Sequence, residues 1–288
     1  MIASTTRVYG LIGNPIEHSI SPQIQNAAYG QMKLDAVYVC FKISCSAAQA
    51  VSSFHRLGVS GINVTIPYKT EVMPALDEVD PLAEQVGAVN TIKFAERVSG
   101  YNTDVSASMR SLREGLGTGT GGKTATIVGA GGAARAVAFG LAKERCGIII
   151  SNRTASRASS LRDEIREKTA WTDIEVVPYS TGELGGAISR SDILINATSV
   201  GMHPKTDESV VTADALHPEL TVMDLVYNPP QTKLLRQAKG VGCRTASGLS
   251  MLVYQAVESI EIWTGGKAPV DLMLSEARRA LREFGPDR

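Results

Sequence analysis

The stretch Thr124-Ala-Thr-Ile-Val-Gly-Ala-Gly-Gly-Ala-Ala-Arg135 decides the fold, because an apolar run passes directly into closely spaced glycines and then into a helix-forming segment. Gly129 suits a tight turn, Gly131 allows the backbone to approach a diphosphate, and Ala134 lets the helix pack closely on the sheet. Amide groups at the N-terminus of such a helix face the anion. The stretch predicts a phosphate-binding turn in the first β-α-β unit of a doubly wound parallel sheet.

The residues after the next predicted strand indicate which dinucleotide binds. An NAD site places an acidic residue roughly 20 positions beyond the glycines, on the ribose hydroxyl. This chain reads Asn152-Arg153-Thr154-Ala-Ser-Arg157 there. Arg153 and Arg157, at the predicted start of a helix, can face one side and bind a 2′-phosphate. Asn152 and Thr154 add donors, so we expect NADP as the cofactor; the alternative is that both arginines are solvated helix charges.

Composition excludes several classes of protein. The chain has 288 residues, with 29 lysines and arginines against 29 aspartates and glutamates. Because basic residues do not cluster with aromatic ones, we expect no nucleic-acid or membrane partner, only small molecules. No apolar run approaches the roughly 20 residues of a membrane span, so a cytoplasmic location is the default expectation.

The cysteines predict neither a metal site nor a disulfide framework. Cys40, Cys45, Cys146 and Cys243 form no C-x-x-C pair and no cluster with histidines. We expect reduced, mostly buried thiols and no bound metal.

Alternating strand and helix patterns predict an α/β fold with two domains. Ser21-Pro22 and Ile66-Pro67 each suit a helix start, with Ser21 as a cap. A glycine-rich stretch, 117–123, is suited to joining domains. The predicted strands are 8–12, 36–43, 61–66, 88–94, 124–128, 147–151, 174–178, 192–196, 221–226 and 242–246; the predicted helices include 22–32, 46–57, 67–73, 105–116, 249–263 and 270–284.

Small polar residues and one lysine lie at predicted strand ends, which form the ligand crevice in parallel sheets. Alternation along the strand puts Asn63 and Thr65 on the same side, and Lys69 follows within a turn of the predicted helix. We expect these three side chains to converge.

A series of motifs follows in order along nearly the whole chain. The motifs are Gly13–Pro22, Asn63–Lys69, Gly87–Thr91, Gly100–Asp104, the glycine turn, Asn152–Thr154, Asn196–Met202, Asp224–Pro229 and Gly248–Gln255. This order of motifs resembles the shikimate dehydrogenase family. Such a resemblance implies an N-terminal α/β substrate domain (1–104), a Rossmann-like NADP domain (105–246) and C-terminal helices (247–288) that return to the first domain. It also implies NADPH-dependent, reversible reduction of 3-dehydroshikimate to shikimate in aromatic amino-acid biosynthesis.

The resemblance assigns roles in binding a polyol acid, which needs many directional hydrogen bonds. Ser19 and Ser21 would bind the carboxylate; their alternative role is helix capping or loop hydrogen bonding. The ring hydroxyls would be bound by amide and hydroxyl side chains, whose alternative role is to satisfy buried polar groups within the protein. These are Asn63, Thr65, Asn90, Tyr227 and Gln255.

Two residues are implied in the chemistry itself. Lys69 would donate a proton during reduction and accept it in the reverse direction. Asp104 would orient that lysine; its alternative role is that of an N-cap at a predicted helix start.

The same resemblance assigns residues around the dinucleotide. Gly129, Ala130, Gly131, Gly132 and Ala133 would surround the diphosphate. The nicotinamide half would lie along Thr198, Met202, Val226 and Gly248, although a methionine after a strand is more often a packing residue.

Rival hypotheses remain at this point. A quinate/shikimate or aminoshikimate dehydrogenase would share the fold, and a homodimer is among the assemblies that the resemblance allows. From another class, a non-catalytic dinucleotide-sensing regulatory protein would keep the fold without turnover. The presence of both Lys69 and Asp104 argues against that last reading.

Overall fold

The computed structural model describes residues 2–283, which divide into two compact units. Within the described range, the first unit consists of residues 2–103 and 253–283, and the second of residues 104–252. The glycine-rich stretch 117–123, expected to join domains, lies inside the second unit. Each unit contains one six-stranded sheet with helices, so the predicted α/β class is confirmed.

The first unit has a mixed sheet in the order β2-β1-β3-β5-β6-β4. β1 is parallel to β2 and β3, whereas β5 runs antiparallel to both β3 and β6. Its strands are β1 (Arg7–Ile12), β2 (Ala36–Phe41), β3 (Gly61–Val64), β4 (Glu78–Val79), β5 (Thr91–Phe94) and β6 (Val98–Tyr101); its helices before residue 104 are α1 (Ser21–Gln31), α2 (Ala47–Arg56) and α3 (Pro81–Val86).

The predicted helix 67–73 is wrong. After Pro67 the chain forms separate turns, in which Tyr68 N donates to Thr65 O at 3.0 Å and Val72 N to Tyr68 O at 3.0 Å, followed by a short 3₁₀ segment at Met73–Ala75. A proline suits the first residues of a turn as well as of a helix, so the sequence signal was ambiguous.

The edge strand β2 is bonded by a side chain of α1. Asn26 Oδ1 accepts a hydrogen bond from Tyr38 N at 2.8 Å, and Asn26 Nδ2 donates to Tyr38 O at 2.9 Å. Both backbone groups face away from β1, so the amide takes the place that a neighbouring strand would occupy.

The second unit has an all-parallel sheet in the order β12-β11-β10-β7-β8-β9, the predicted doubly wound arrangement. From β7 the chain continues outward to β8 and β9, and from β10 it continues outward in the opposite direction to β11 and β12. The order of the strands therefore reverses between β7 and β10, and this pair is the topological switch point of the sheet. The strands are β7 (Thr124–Val128), β8 (Gly147–Ser151), β9 (Ile174–Val177), β10 (Ile193–Asn196), β11 (Thr221–Asp224) and β12 (Arg244–Ser247); the helices are α4 (Asp104–Leu116), α5 (Gly132–Lys143), α6 (Ala155–Thr169), α7 (Thr181–Ile188) and α8 (Lys233–Val241).

Two C-terminal helices follow, α9 (Gly248–Thr264) and α10 (Val270–Glu283). The part of α9 beyond Leu252 belongs to the first unit, where Trp263 stacks on Tyr9 at 4.9 Å between ring centroids. The Trp263 indole N–H also donates to Ile92 O of β5 at 2.9 Å. α10 packs against α1 in the same unit. Residue 284, the end of the predicted last helix, lies outside the described residues.

The cysteines differ in part from expectation. All four are free thiols, but only Cys146 and Cys243 are buried. Cys40, in the edge strand β2, is partly exposed, and Cys45, four residues after that strand, is exposed. Within residues 2–283, no helix is long and apolar enough to cross a membrane. The same part of the chain contains no cluster of metal-ligating side chains.

Candidate active site

The glycine turn has the geometry that the sequence predicts. Gly129 follows β7 with a φ of +120°, and a Cβ there would lie 2.8 Å from Ala197 O. Gly131 is exposed, with open space where a Cβ would lie, and Ala134 is fully buried. No side chain caps α5, so its N-terminal amides remain available for an anion. Ala130 and Ala133 are half-buried and Gly132 exposed along the same turn.

The residues after β8 are open to solvent. Arg153, Thr154 and Arg157 are exposed, and Asn152 Nδ2 donates to Thr154 O at 2.9 Å. Thr154 is the N-cap residue of α6, so Arg153 lies before the helix. Arg157 lies within the helix, so the prediction that both arginines lie at the start of this helix is wrong for Arg153. Among residues 2–283, no carboxylate forms an ion pair with either arginine.

Arg135 of α5 has a side chain that is only 17% exposed. Its guanidinium pairs with Glu164 of α6 and lies 5.4 Å from the Phe139 ring centroid. It therefore joins α5 to α6.

In the first unit, the antiparallel hairpin β5–β6 brings polar residues to one edge of the sheet. Asn90 precedes β5, whereas Asn102 and Thr103 follow β6. Both positions lie at the end where β3 leads into Thr65. Asn90 therefore lies before β5 and not inside the predicted strand 88–94, and the antiparallel direction of β5 puts it at the same edge as Thr65.

A buried hydrogen-bond network connects these residues. Asn63 Nδ2 lies 2.8 Å from Ser259 Oγ and 3.0 Å from Thr91 Oγ1, and Asn63 Oδ1 accepts from Tyr38 OH at 2.8 Å. Ser259 Oγ is itself 2.9 Å from Thr91 Oγ1. The network fixes the orientation of the Asn63 amide from three directions.

Asn90 is bonded to Thr103 in both directions. Asn90 Oδ1 accepts from Thr103 N at 2.8 Å, and Asn90 Nδ2 donates to Thr103 Oγ1 at 3.0 Å. Thr103 Oγ1 in turn donates to the backbone oxygen of Gln255 at 3.1 Å, which bonds α9 to this edge. Tyr38 and Ser259 were not predicted as parts of this cluster, whereas Thr91 and Thr103 lie in the quoted motifs Gly87–Thr91 and Gly100–Asp104 but were given no role.

The two serines lie at the start of α1. Ser21 is buried and is the first helical residue, and its N–H donates to Ser19 Oγ at 3.2 Å. The predicted cap at Ser21 is wrong, because Ile20 occupies the cap position and no side chain bonds there.

Lys69 and Thr65 lie in the turns after β3 and are partly exposed. The backbone oxygen of Lys69 accepts a hydrogen bond from Val89 N at 2.8 Å. This bond connects the turn to the residue directly before Asn90. Asp104 is buried and is the first residue of α4, in the second unit.

Residues assigned to the nicotinamide half follow β10, β11 and β12. Thr198 Oγ1 donates to Asn196 Oδ1 at 2.7 Å, Val226 is buried, and Met202 is 46% exposed. Gly248 packs on the Leu225 backbone, where a Cβ has no room. Tyr227 is half-buried after β11. Asn196 and Asp224, which form hydrogen bonds to these segments, were not predicted as site residues. The sequence signal for Asp224 was its position as a single acidic residue at the end of an apolar strand.

Comparison with known proteins bears on this arrangement. Residues 11–92 match the model for the shikimate dehydrogenase substrate binding domain, residues 113–232 that for shikimate / quinate 5-dehydrogenase, and residues 248–278 the shikimate 5'-dehydrogenase C-terminal domain. A shikimate dehydrogenase (NADP(+)) from Methanopyrus kandleri is 44% identical over 98% of both chains. The chain belongs to the shikimate dehydrogenase family.

Solved structures of shikimate dehydrogenase relatives agree with the fold. A crystal structure of a shikimate dehydrogenase in complex with NADP⁺ superposes with a TM-score of 0.92, at 42% identity and covering 98% of each chain. A quinate dehydrogenase from Corynebacterium glutamicum, in complex with NAD, gives a TM-score of 0.89 at 30% identity, covering 95% of this chain and 99% of that one. The predicted family and the predicted Rossmann-like dinucleotide fold are confirmed.

Proposed function

We propose that this protein catalyses the reversible, NADPH-dependent reduction of 3-dehydroshikimate to shikimate, a step of aromatic amino-acid biosynthesis. The observation that carries the proposal is the family similarity along nearly the whole chain, with the lysine and the aspartate suited to proton transfer both present. The first unit would bind the substrate and the second the dinucleotide.

The substrate is a polyol acid, and the polar edge of the first sheet suits it. Ser19 and Ser21 would bind the carboxylate, and Thr65, Tyr227 and Gln255 the ring hydroxyls together with the two asparagine amides. Because Asn63 and Asn90 already have fixed internal partners, their orientation is set before substrate arrives.

Lys69 would transfer the proton to and from the substrate. NADPH, when bound, supplies the hydride. Lys69 Nζ donates a proton to the carbonyl oxygen of the substrate during reduction and accepts it from the hydroxyl during oxidation. The family resemblance assigns Asp104 the role of orienting this ammonium group, for which a carboxylate has the suitable charge.

The second unit fits NADP rather than NAD. The uncapped N-terminus of α5 and the open backbone at Gly131 suit a diphosphate. Arg153 and Arg157 offer guanidinium groups to a 2′-phosphate, with Asn152 and Thr154 beside them.

The test is a set of initial rates with purified protein, followed by the absorbance of the reduced nicotinamide. Shikimate and quinate are each paired with NADP⁺ and with NAD⁺. We expect turnover with shikimate and NADP⁺ to exceed the other three combinations. A preference for quinate or NAD⁺ would move the protein to a sister subfamily, and no turnover in any combination would favour the dinucleotide sensor.

A further inference from the structure

A carboxylate that the proposed chemistry does not use is buried at the carboxyl end of β11 in the second unit. Asp224 is the last residue of β11 and is 0% exposed. In the described part of the chain, no lysine or arginine forms an ion pair with it. A buried charge without a cation is costly, so the hydrogen bonds around it must supply the compensation.

Three neutral donors surround this carboxylate. Asp224 Oδ1 accepts from Asn196 Nδ2 at 2.9 Å and from Val226 N at 3.0 Å, and Asp224 Oδ2 accepts from Thr232 Oγ1 at 2.5 Å. Burial raises the pKa of the Asp224 carboxyl to about 6, although these hydrogen bonds favour the ionised form. One side chain thus bonds to the end of β10, to the segment after β11 and to the N-cap of α8.

Asn196 transmits this contact to the loop after β10. Its Oδ1 accepts from Thr198 N at 3.1 Å and from Thr198 Oγ1 at 2.7 Å, and its Nδ2 donates to Val200 O at 3.1 Å. The loop therefore takes its position from a side chain that Asp224 orients.

That loop packs directly on the glycine turn. A Cβ built at Gly129 would lie 2.8 Å from Ala197 O and 3.2 Å from Thr198 Cγ2. Because the packing is this close, neither the glycine turn nor the loop after β10 can move far without a steric clash or a cavity. β7 and β10 form the switch point, the place where doubly wound sheets bind their ligands.

We propose that Asp224, acting through Asn196, is a positioning residue for the dinucleotide site: it sets the segments that contain Thr198 and Val226 against the Gly129 turn and so sets the affinity for NADP(H). The inference rests on the proposed function, because it takes Thr198 and Val226 as cofactor contacts. Asp224 itself touches neither substrate nor reacting atoms in this scheme.

Two substitutions at this position separate positioning from charge. Asp224→Ala leaves the Asn196 amide and the Val226 N–H without their acceptor. Asp224→Asn retains an oxygen acceptor for those two donors and offers an N–H to Thr232 Oγ1, so it should keep the loops in place. The matched control is Asp192→Ala: Asp192 lies at the opposite end of the same sheet, exposed, where Oδ2 accepts from Thr124 N at 2.8 Å.

The experiment measures NADPH dissociation constants by nicotinamide fluorescence, together with KM for NADP⁺, KM for shikimate and kcat. We expect Asp224→Ala to weaken NADPH at least about tenfold, as losing an acceptor for buried donors does, while KM for shikimate changes by less than about twofold. Asp224→Asn should remain within about threefold of wild type for NADPH, and Asp192→Ala should be unchanged.

Asn196→Ala keeps the proposal open to refutation if Asp224→Ala does not fold, because it removes only the link to Thr198. It too should weaken NADPH at least about tenfold. Folded Asp224→Ala or Asn196→Ala protein that binds NADPH as tightly as wild type would overturn the positioning role alone. An equal rise in KM for NADP⁺ and KM for shikimate would also overturn the positioning role. Wild-type protein that binds no NADPH would overturn the proposed function as well.

Discussion

At the scale of single residues, Lys69 carries the most direct prediction. Lys69→Ala should lower kcat at least ~100-fold, the usual scale of acid-base catalysis, because no proton donor would then face the reacting oxygen. The NADPH dissociation constant should hardly change, since Lys69 belongs to the first unit. Steady-state rates and a binding titration check both parts. An almost fully active variant would remove the proposed role.

Arg153 tests the choice of cofactor. Arg153→Ala should weaken NADPH by about tenfold or more and NADH much less, because only NADPH carries the 2′-phosphate. The comparison uses the ratio of the two dissociation constants, so a general loss of folding does not mimic the result. Equal weakening of both cofactors would refute a phosphate contact at this arginine.

Asp224 gives a prediction about pH and stability. Its folded-state pKa, about 6, lies above its ordinary value of 3.8, so the folded protein binds the proton more tightly than the unfolded chain does. The contribution of this group is therefore most favourable in acid and is lost as pH rises through 6. Between pH 5 and 7.5, the unfolding free energy of wild type should fall relative to Asp224→Asn by about 1–2 kcal/mol. Urea unfolding of both proteins at each pH measures this; a constant difference would contradict it.

At the scale of elements, one hydroxyl bonds α9 to the first sheet. Ser259→Ala removes an acceptor of the buried Asn63 amide and should lower the unfolding free energy by about 1–3 kcal/mol. Ser53→Ala, on the exposed face of α2, is the control and should have almost no effect or a slightly stabilising one. Chemical denaturation of the two variants tests the contrast. Equal stability of both would mean that the Ser259 bond contributes nothing net.

Elements differed in how well the sequence predicted them. The strand-glycine-helix unit at 124–143 was predictable because its signal is local: an apolar run, glycines with a special backbone demand, and an alanine-rich helix. The turns after Pro67 were not, since proline favours a turn and a helix start alike.

The polar cluster around Asn63 shows the other limit of sequence reasoning. The type of residue suggested a hydrogen-bonding site, but Ser259 is 196 positions away along the chain, and Tyr38 lies on a different strand. Such partners follow from tertiary packing, which no local pattern encodes. Asp224 was likewise quoted only as part of a motif, because its three donors meet only once β10, β11 and α8 are assembled.

At the scale of the whole molecule, the motif order predicted the family and the two sheets better than any single motif did. The doubly wound order of the second sheet follows from alternating strands and helices. The first sheet is mixed because β5 and β6 form an antiparallel hairpin at 91–101. The strand pattern did not predict this hairpin, since the two strands are joined by only a short turn. Direction of a strand, unlike its existence, depends on the connections on both sides.

The amide of Asn26 has a consequence for how copies of the protein meet one another. A strand with unsatisfied backbone groups is a template for recruiting a foreign chain, and the two bonds to Tyr38 block that template at mid-strand. Asn26→Ala should therefore raise light scattering during mild heating at high concentration, whereas Gln31→Ala, at the exposed end of the same helix, should not. Identical scattering from the two would show that the remaining length of β2 is already unattractive to other chains. If only Asn26→Ala scatters more, the resistance of the protein to aggregation depends on this one carboxamide.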